Sequence, residues 1–409
     1  MSYAIIMMLL RFKIIFQEDL HMATISRGIK APIIREGDDI VSIVCDCVLS
    51  ASKEQGFTLR DRDVVAVTEA VVARAAGNYA TVEDVRRKLG GNTIGLVFPI
   101  LSRNRFAICL RGIARGARKV VVQLGYPSDE VGNHLVDIDA LDDSGIDPYK
   151  DVLSVAEFRR HFGTPLHPFT GVDYISYYTQ LIEEEGAEAE IILANRPEAI
   201  LSYSDKVLCC DTHTRFRTQR RILAAGADVC LTLCDILNAP VNGSGYNEKY
   251  GLLGSNKATE DVVKLFPNNA QEVAEAISAR LCAATGKRIE AMVYGDGAFK
   301  DPVGKIWELA DPVVSPGFTD GLNGLPNELK LKYLADNDFA NLKGEELRSA
   351  IENAIRKKDA DLKGSMATQG TTPRRLTDLL GSLCDLTSGS GDKGTPIVLV
   401  QGYFENYAD

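Results

Sequence analysis

Short apolar runs alternating with helix-period stretches constrain this chain more than any single motif. Val64–Val67, Lys119–Leu124, Glu190–Ala194, Lys206–Cys210, Ile289–Tyr294 and Pro396–Gln401 are nearly continuous apolar segments bounded by turn residues. Runs of this kind read as strands buried on both faces, as parallel sheets require. Between them lie helical patterns. Ile40, Ile43, Val44, Cys47 and Val48 fall on one helical face behind Asp38-Asp39, which can cap it. Tyr174–Glu185, a basic Thr214–Ala225, Ala270–Thr285 and Arg374–Leu386 also read as helices, as do 81–90, 104–116, Thr259–Leu265 and a charged stretch over Asp336–Asp361. Alternating strand and helix predicts an α/β class, mixed with α+β elements.

At 409 residues the chain has room for two or three folding units. From Gly125 to Gly226 its texture changes: Pro127, Pro148, Pro165 and Pro168 punctuate loops ahead of a new strand–helix alternation. Residues 125–230 are therefore expected to form an inserted α/β module, with 23–124 and 231–409 making the main unit. Residues 1–16 are apolar but broken by Arg11 and Lys13 and too short to cross a membrane; residues 1–22 are expected to be an extension, or the product of a start codon upstream of Met22. The formal charge of −10 argues against a general nucleic-acid binder, which needs Lys and Arg to neutralise phosphates. The nine cysteines lack CxxC spacing and sit mostly in apolar runs, as in a reducing cytoplasm rather than a disulfide framework.

Three segments carry candidate chemistry. Gly254-Ser255-Asn256-Lys257 is expected to lead into a helix, where free amides and a lysine would hold an anion; the same residues fit a plain capped loop. Asp296 follows a strand end, and Asp301 and Lys305 follow within DPVGKIW, where carboxylates would serve Mg²⁺ or Mn²⁺ or simply make a turn. Asp211 ends a strand ahead of Arg217, Arg220 and Arg221 on a basic helix, which suits a phosphate or carboxylate as well as an exposed basic face. No GxGxxG follows a strand, no GxSxG occurs, and GxxxxGK[ST] is absent.

Three regions, in order, resemble the F-420-0:gamma-glutamyl ligase family. APIIREGDDIV (31–41) with DRDVVAVTEAVVARAAG (61–77) resembles that family's GDD segment and its "TSKIVSKAEG" element. NAPVN (238–242) resembles "NAGVD", and the Phe-Pro ahead of the next helix its "LLP" segment. DPVGKIW (301–307) resembles "DTFGRPW", and LTDLLGSLCDL with GTPIVLVQGY its closing helix and strand.

The resemblance implies the family's ligase fold carrying an inserted module, and a cytoplasmic homodimer that activates a carboxylate with GTP as an acyl phosphate and joins it to L-glutamate. It implies Mg²⁺ or Mn²⁺, a monovalent cation, small-molecule substrates, and neither nucleic acid nor membrane as partner. On this resemblance Asp296 and Asp301 are the catalytic and metal-binding aspartates, with Asn242 where the family has its "NAGVD" aspartate. Lys257, Ser255, Arg74 and Lys305 are assigned to phosphates, and Arg217, Arg220, Arg221 and Asp211 to the acceptor. The family's first "SKIVSK" lysine falls on Ala70, the second on Arg74, and its glutamate on Ala76. Those departures also admit a non-catalytic nucleotide- or anion-binding protein on the same fold.

Overall fold

The computed structural model describes residues 24–89, 91–168, 170–295, 298–300, 307–309, 315–368, 374–388 and 392–409. The expected extension and Asp296, Asp301 and Lys305 lie outside them. Strands and helices are numbered along the chain. The first sheet contains β1 (Ile25–Ile29), β2 (Val64–Thr68), β12 (Glu290–Tyr294), β15 (Gly317–Phe318) and β16 (Ile397–Gln401), in the order β1-β16-β2-β12-β15. Only β2 and β12 run parallel, Val64 opposite Glu290 and Thr68 opposite Tyr294. Both faces are covered, which is why β2, β12 and β16 read as nearly unbroken apolar runs. Val65, Val67, Ala291, Val293 and Leu399 face α1 (Ile40–Gln55) and α9 (Ala270–Thr285). Val64, Ala66, Met292, Val398 and Val400 face Leu380 and Cys384 of α12 (Leu376–Thr387). Asp39 caps α1 by accepting from the Ser42 amide at 3.0 Å.

The second sheet contains β4 (Gly91–Val97), β5 (Ala117–Leu124), β6 (Leu153–Ser154), β7 (Glu188–Leu193), β8 (Lys206–Cys209) and β9 (Val229–Thr232), in the order β6-β7-β5-β4-β8-β9. Every pairing is parallel except β6 with β7. Chain order reverses at β4, as in doubly wound folds. One face packs on α4 (Phe106–Arg115) and α7 (Tyr174–Glu184), through Ile94, Leu96, Val120 and Val122 against Ile113 and Tyr178. The other holds Ile222 of α8 (Arg215–Ala224). The remaining helices of this region are α3 (Val82–Leu89), α5 (Ile138–Asp143) and α6 (Val155–Phe162), and the later ones are α10 (Leu331–Asp336) and α11 (Gly344–Lys357). Residues 91–124, grouped with the main unit from sequence, thus supply β4 and β5 to the same sheet as β7, β8 and β9.

A three-stranded sheet, β10-β11-β3, joins the two. It pairs β3 (Tyr79–Thr81) with β11 (Val262–Lys264), and β11 with β10 (Asn256–Lys257). The helix expected over Thr259–Leu265 is therefore a hairpin. Its turn is closed by the Ala258 and Thr259 amides, both donating to the Val262 carbonyl. A separate ribbon pairs β13 (Ala298–Lys300) with β14 (Trp307–Leu309).

Candidate functional site

The parallel strands β2 and β12 end side by side, and their carboxyl ends open into a cleft of about 460 Å³. That volume lies within the range of small-molecule sites, and strand ends of this kind are where ligands bind in open α/β sheets. Grooves of about 750 Å³ beside β1 and α1 and of about 520 Å³ around Asn247 and Gln271 also exist, but neither lies at parallel strand ends. Pro32–Ile34 form an apolar wall of the cleft, and Gly295 marks the end of β12.

Thr68 closes β2 and caps the short helix α2 (Glu69–Ala75), its hydroxyl accepting from the Ala70 amide at 3.4 Å. Glu69 follows in the first turn, 6% exposed, and lines the cleft. Both its carboxylate oxygens accept from the Lys264 ammonium, at 2.8 and 2.6 Å. Lys264 comes from β11 and is 9% exposed. Desolvating two charges costs several kcal/mol per ion, roughly repaid only by close, well-hydrogen-bonded geometry. Arg74, in the last turn of α2, is exposed on the cleft wall and forms no ion pair among the described residues. Asn256, Asp385, Ser388 and Thr395 add to the polar lining.

The structure gathers only part of the expected set here. Arg74 lines the cleft. Lys257 does not: it pairs with Glu260 across the hairpin turn, and the helix amides it was expected to accompany are absent. Ser255 is buried on the opposite side, its hydroxyl 3.6 Å from Cys109 Sγ, in a pocket with Cys210 and Thr212. Asn242 sits exposed in a loop at φ +50°, a conformation asparagine tolerates, and is not on the cleft wall. The Arg217–Asp211 group belongs to the second sheet and does not line the cleft either. Arg217 and Arg220 are exposed on α8, and Arg221 pairs with Glu198 through bonds of 2.6 and 2.8 Å. Asp211 is buried and accepts from the Thr214 and Thr218 hydroxyls at 2.7 Å each, anchoring the loop that leads into α8. Sequence reasoning missed Glu69 and Lys264, although a lone lysine inside the apolar run VVKLF was a visible signal.

Among the described residues, no group of three His, Cys, Asp or Glu side chains is arranged to hold a metal ion. Glu69 and Asp385 are the carboxylates on the cleft, and Asp296 follows Gly295 in sequence. No helix among the described residues is long and apolar enough to cross a membrane.

No curated protein matches the chain. Residues 28–402 match the family described as F420-0:Gamma-glutamyl ligase, spanning both sheets, the hairpin between them and the cleft. The chain belongs to the F420-0:gamma-glutamyl ligase family.

Proposed function

We propose that this protein is a GTP-dependent acid–amino-acid ligase that converts a small-molecule carboxylate to an acyl phosphate and couples it to L-glutamate. The observation that carries the reading is the cleft at the ends of β2 and β12, where an exposed arginine and a buried ion pair converge in a chain of this family. Phosphoryl transfer depends chiefly on positioning and charge stabilisation, with little covalent work for the protein. Arg74 contributes a planar cation suited to phosphate oxygens. Mg²⁺ binds through one or two carboxylates when phosphates complete its shell; Asp385 lies on the cleft wall, and Asp296 and Asp301 are assigned to the metal, and Lys305 to phosphate, by the family motifs alone. The metal, when bound, neutralises charge on the transferred phosphoryl group. The apolar wall of Pro32–Ile34 gives a substrate its non-polar contact. Cytoplasmic location and a homodimer complete the proposal.

The test is phosphate release from GTP or ATP with Mg²⁺ or Mn²⁺, L-glutamate, and a panel of aliphatic, aromatic and phosphorylated carboxylates. Release that requires both glutamate and one member of the panel is the expected result. Absence of glutamate-dependent release across the panel, with a nucleotide-induced rise in melting temperature retained, would instead establish a non-catalytic nucleotide binder.

A further inference from the structure

The Glu69–Lys264 pair spans 195 residues of sequence, between the first turn of α2 and the end of β11, and it faces a cleft rather than a core. Well-packed apolar residues replace buried ion pairs of this kind with little loss of stability, so keeping one at the edge of a cleft is a poor way to hold two elements together. Its geometry suits a chemical task. A nearly buried carboxylate stays ionised only when a charge compensates it. Lys264 supplies that charge to both oxygens, which fixes the carboxylate's orientation at the cleft wall. Among the described residues, the charged groups that pair with it or share its cleft include Lys264 on β11, Arg74 on its own helix, and Asp385 on α12.

We propose that Glu69 accepts the proton released when the amino group of L-glutamate attacks the activated carboxylate, and that Lys264 is the positioning residue that keeps it ionised and aimed. The assignment rests on the ligase reading above. In the step, the α-ammonium gives one proton to a Glu69 oxygen, and the freed nitrogen lone pair forms the bond to the acyl carbon. The acyl carbon–oxygen bond to phosphate breaks, and phosphate leaves with that electron pair. The second nitrogen proton departs with phosphate as hydrogen phosphate, and Glu69 returns its proton to water. Arg74 and Glu69 thus divide the labour on one short helix: the exposed cation holds phosphate and the enclosed anion takes the proton.

Hydroxylamine separates this role from a structural one. It is largely uncharged at neutral pH, so it intercepts an acyl phosphate without a proton acceptor, whereas the glutamate ammonium must first be deprotonated. The full chain is assayed with the nucleotide and the panel carboxylate that support glutamate-dependent phosphate release, once with L-glutamate and once with hydroxylamine. Glu69→Gln is expected to lower the glutamate reaction by about 100-fold or more, the usual contribution of a positioned acid–base group, while hydroxamate forms at the wild-type rate. Lys264→Met should behave in the same way, and Lys264→Arg should restore most of the glutamate reaction. If Glu69→Gln does not fold, the paired change Glu69→Gln with Lys264→Gln removes both charges together and carries the same comparison. Equal loss of both reactions, or loss of neither, overturns the assignment while leaving the ligase reading standing. A wild-type chain that forms no hydroxamate with any carboxylate of the panel overturns the ligase reading, and the assignment with it.

Discussion

Asp211 and Glu130 show how single side chains decide behaviour away from the cleft. Asp211 is buried with one oxygen bound to two threonine hydroxyls, while its Oδ1 has no hydrogen-bond partner. Glu130 reaches across to accept from the Thr212 and His213 amides in the same loop. Desolvation pushes the Asp211 carboxyl above its ordinary value of 3.8 and the Glu130 carboxyl above its ordinary value of 4.5, and the negative charge of Asp211 adds to the rise at Glu130. The folded chain therefore holds protons here that the unfolded chain gives up. Unfolding releases protons between those ordinary values and the raised ones, so this loop contributes less stability as pH rises through that window. Asp211→Asn keeps an acceptor for both threonines and removes one proton-binding group. Melting temperatures followed from about pH 4 to about pH 7 should fall less steeply for the variant than for wild type over that window. Parallel pH profiles would refute the account. At this scale Arg74 was legible only because it falls on the second lysine of the "SKIVSK" element that the segment resembles. The Glu69–Lys264 contact was not, because its partners are distant in sequence and meet only through the pairing of β11 with β3.

Elements were legible where burial alone shapes sequence. The runs at β2, β5, β7, β8, β12 and β16 all became strands, because a strand covered on both faces has no polar side to interrupt it. β4 escaped notice although it is where the strand order reverses in the second sheet. Its sequence GNTIGLV is broken by Gly91 and Gly95, and a side chain at Gly95 would place its Cβ 2.5 Å from Ile200 Cγ1. Close packing there demanded a residue that looks like a loop. The hairpin of β10 and β11 was misread for a related reason. Its entry is Gly254 at φ +74°, with the Phe266 ring lying where a Cβ would go, so tertiary packing rather than local propensity selects the turn. Gly254→Ala combines a disfavoured backbone conformation with overpacking and should cost about 2–4 kcal/mol in urea denaturation. It should also weaken ligand-induced stabilisation, since Asn256 on the cleft wall follows two residues later. A loss below about 0.5 kcal/mol, within the range of an ordinary surface change, would show that the hairpin adapts.

At the largest scale, two large sheets carry separate cores, and the chain passes from the first to the second and back. The hydrophobic residues of β3 and β11, Ala80 and Val263, belong to the core of the second sheet, as does Phe266. The Glu69–Lys264 pair and the turn at Asn78 connect that hairpin sheet to the first. Asn78 is buried between α2 and β3. Its side-chain nitrogen donates to the carbonyls of Tyr246 at 2.9 Å and Phe266 at 2.6 Å, and its oxygen accepts from the Tyr246 amide at 3.0 Å. Its own amide donates to Ala73 in α2, and its carbonyl accepts from Leu265 beyond β11. One residue thus satisfies backbone groups from both halves, and removing its side chain leaves the Tyr246 amide and carbonyl without this partner in a half-buried place. Each such group costs about 1–3 kcal/mol when unpaired. Asn78→Ala should therefore lower stability by about 3 kcal/mol overall, with the loss falling on the coupling between sheets rather than on either core. Calorimetry of wild type should give one unfolding transition, because the joint makes opening one sheet expose the other. In the variant the transition should broaden or split in two, since each core keeps its own buried strands and helices. If the peak instead stays single and shifts as a whole, coupling runs through the wider surface between the sheets, and Asn78 is one contact among many.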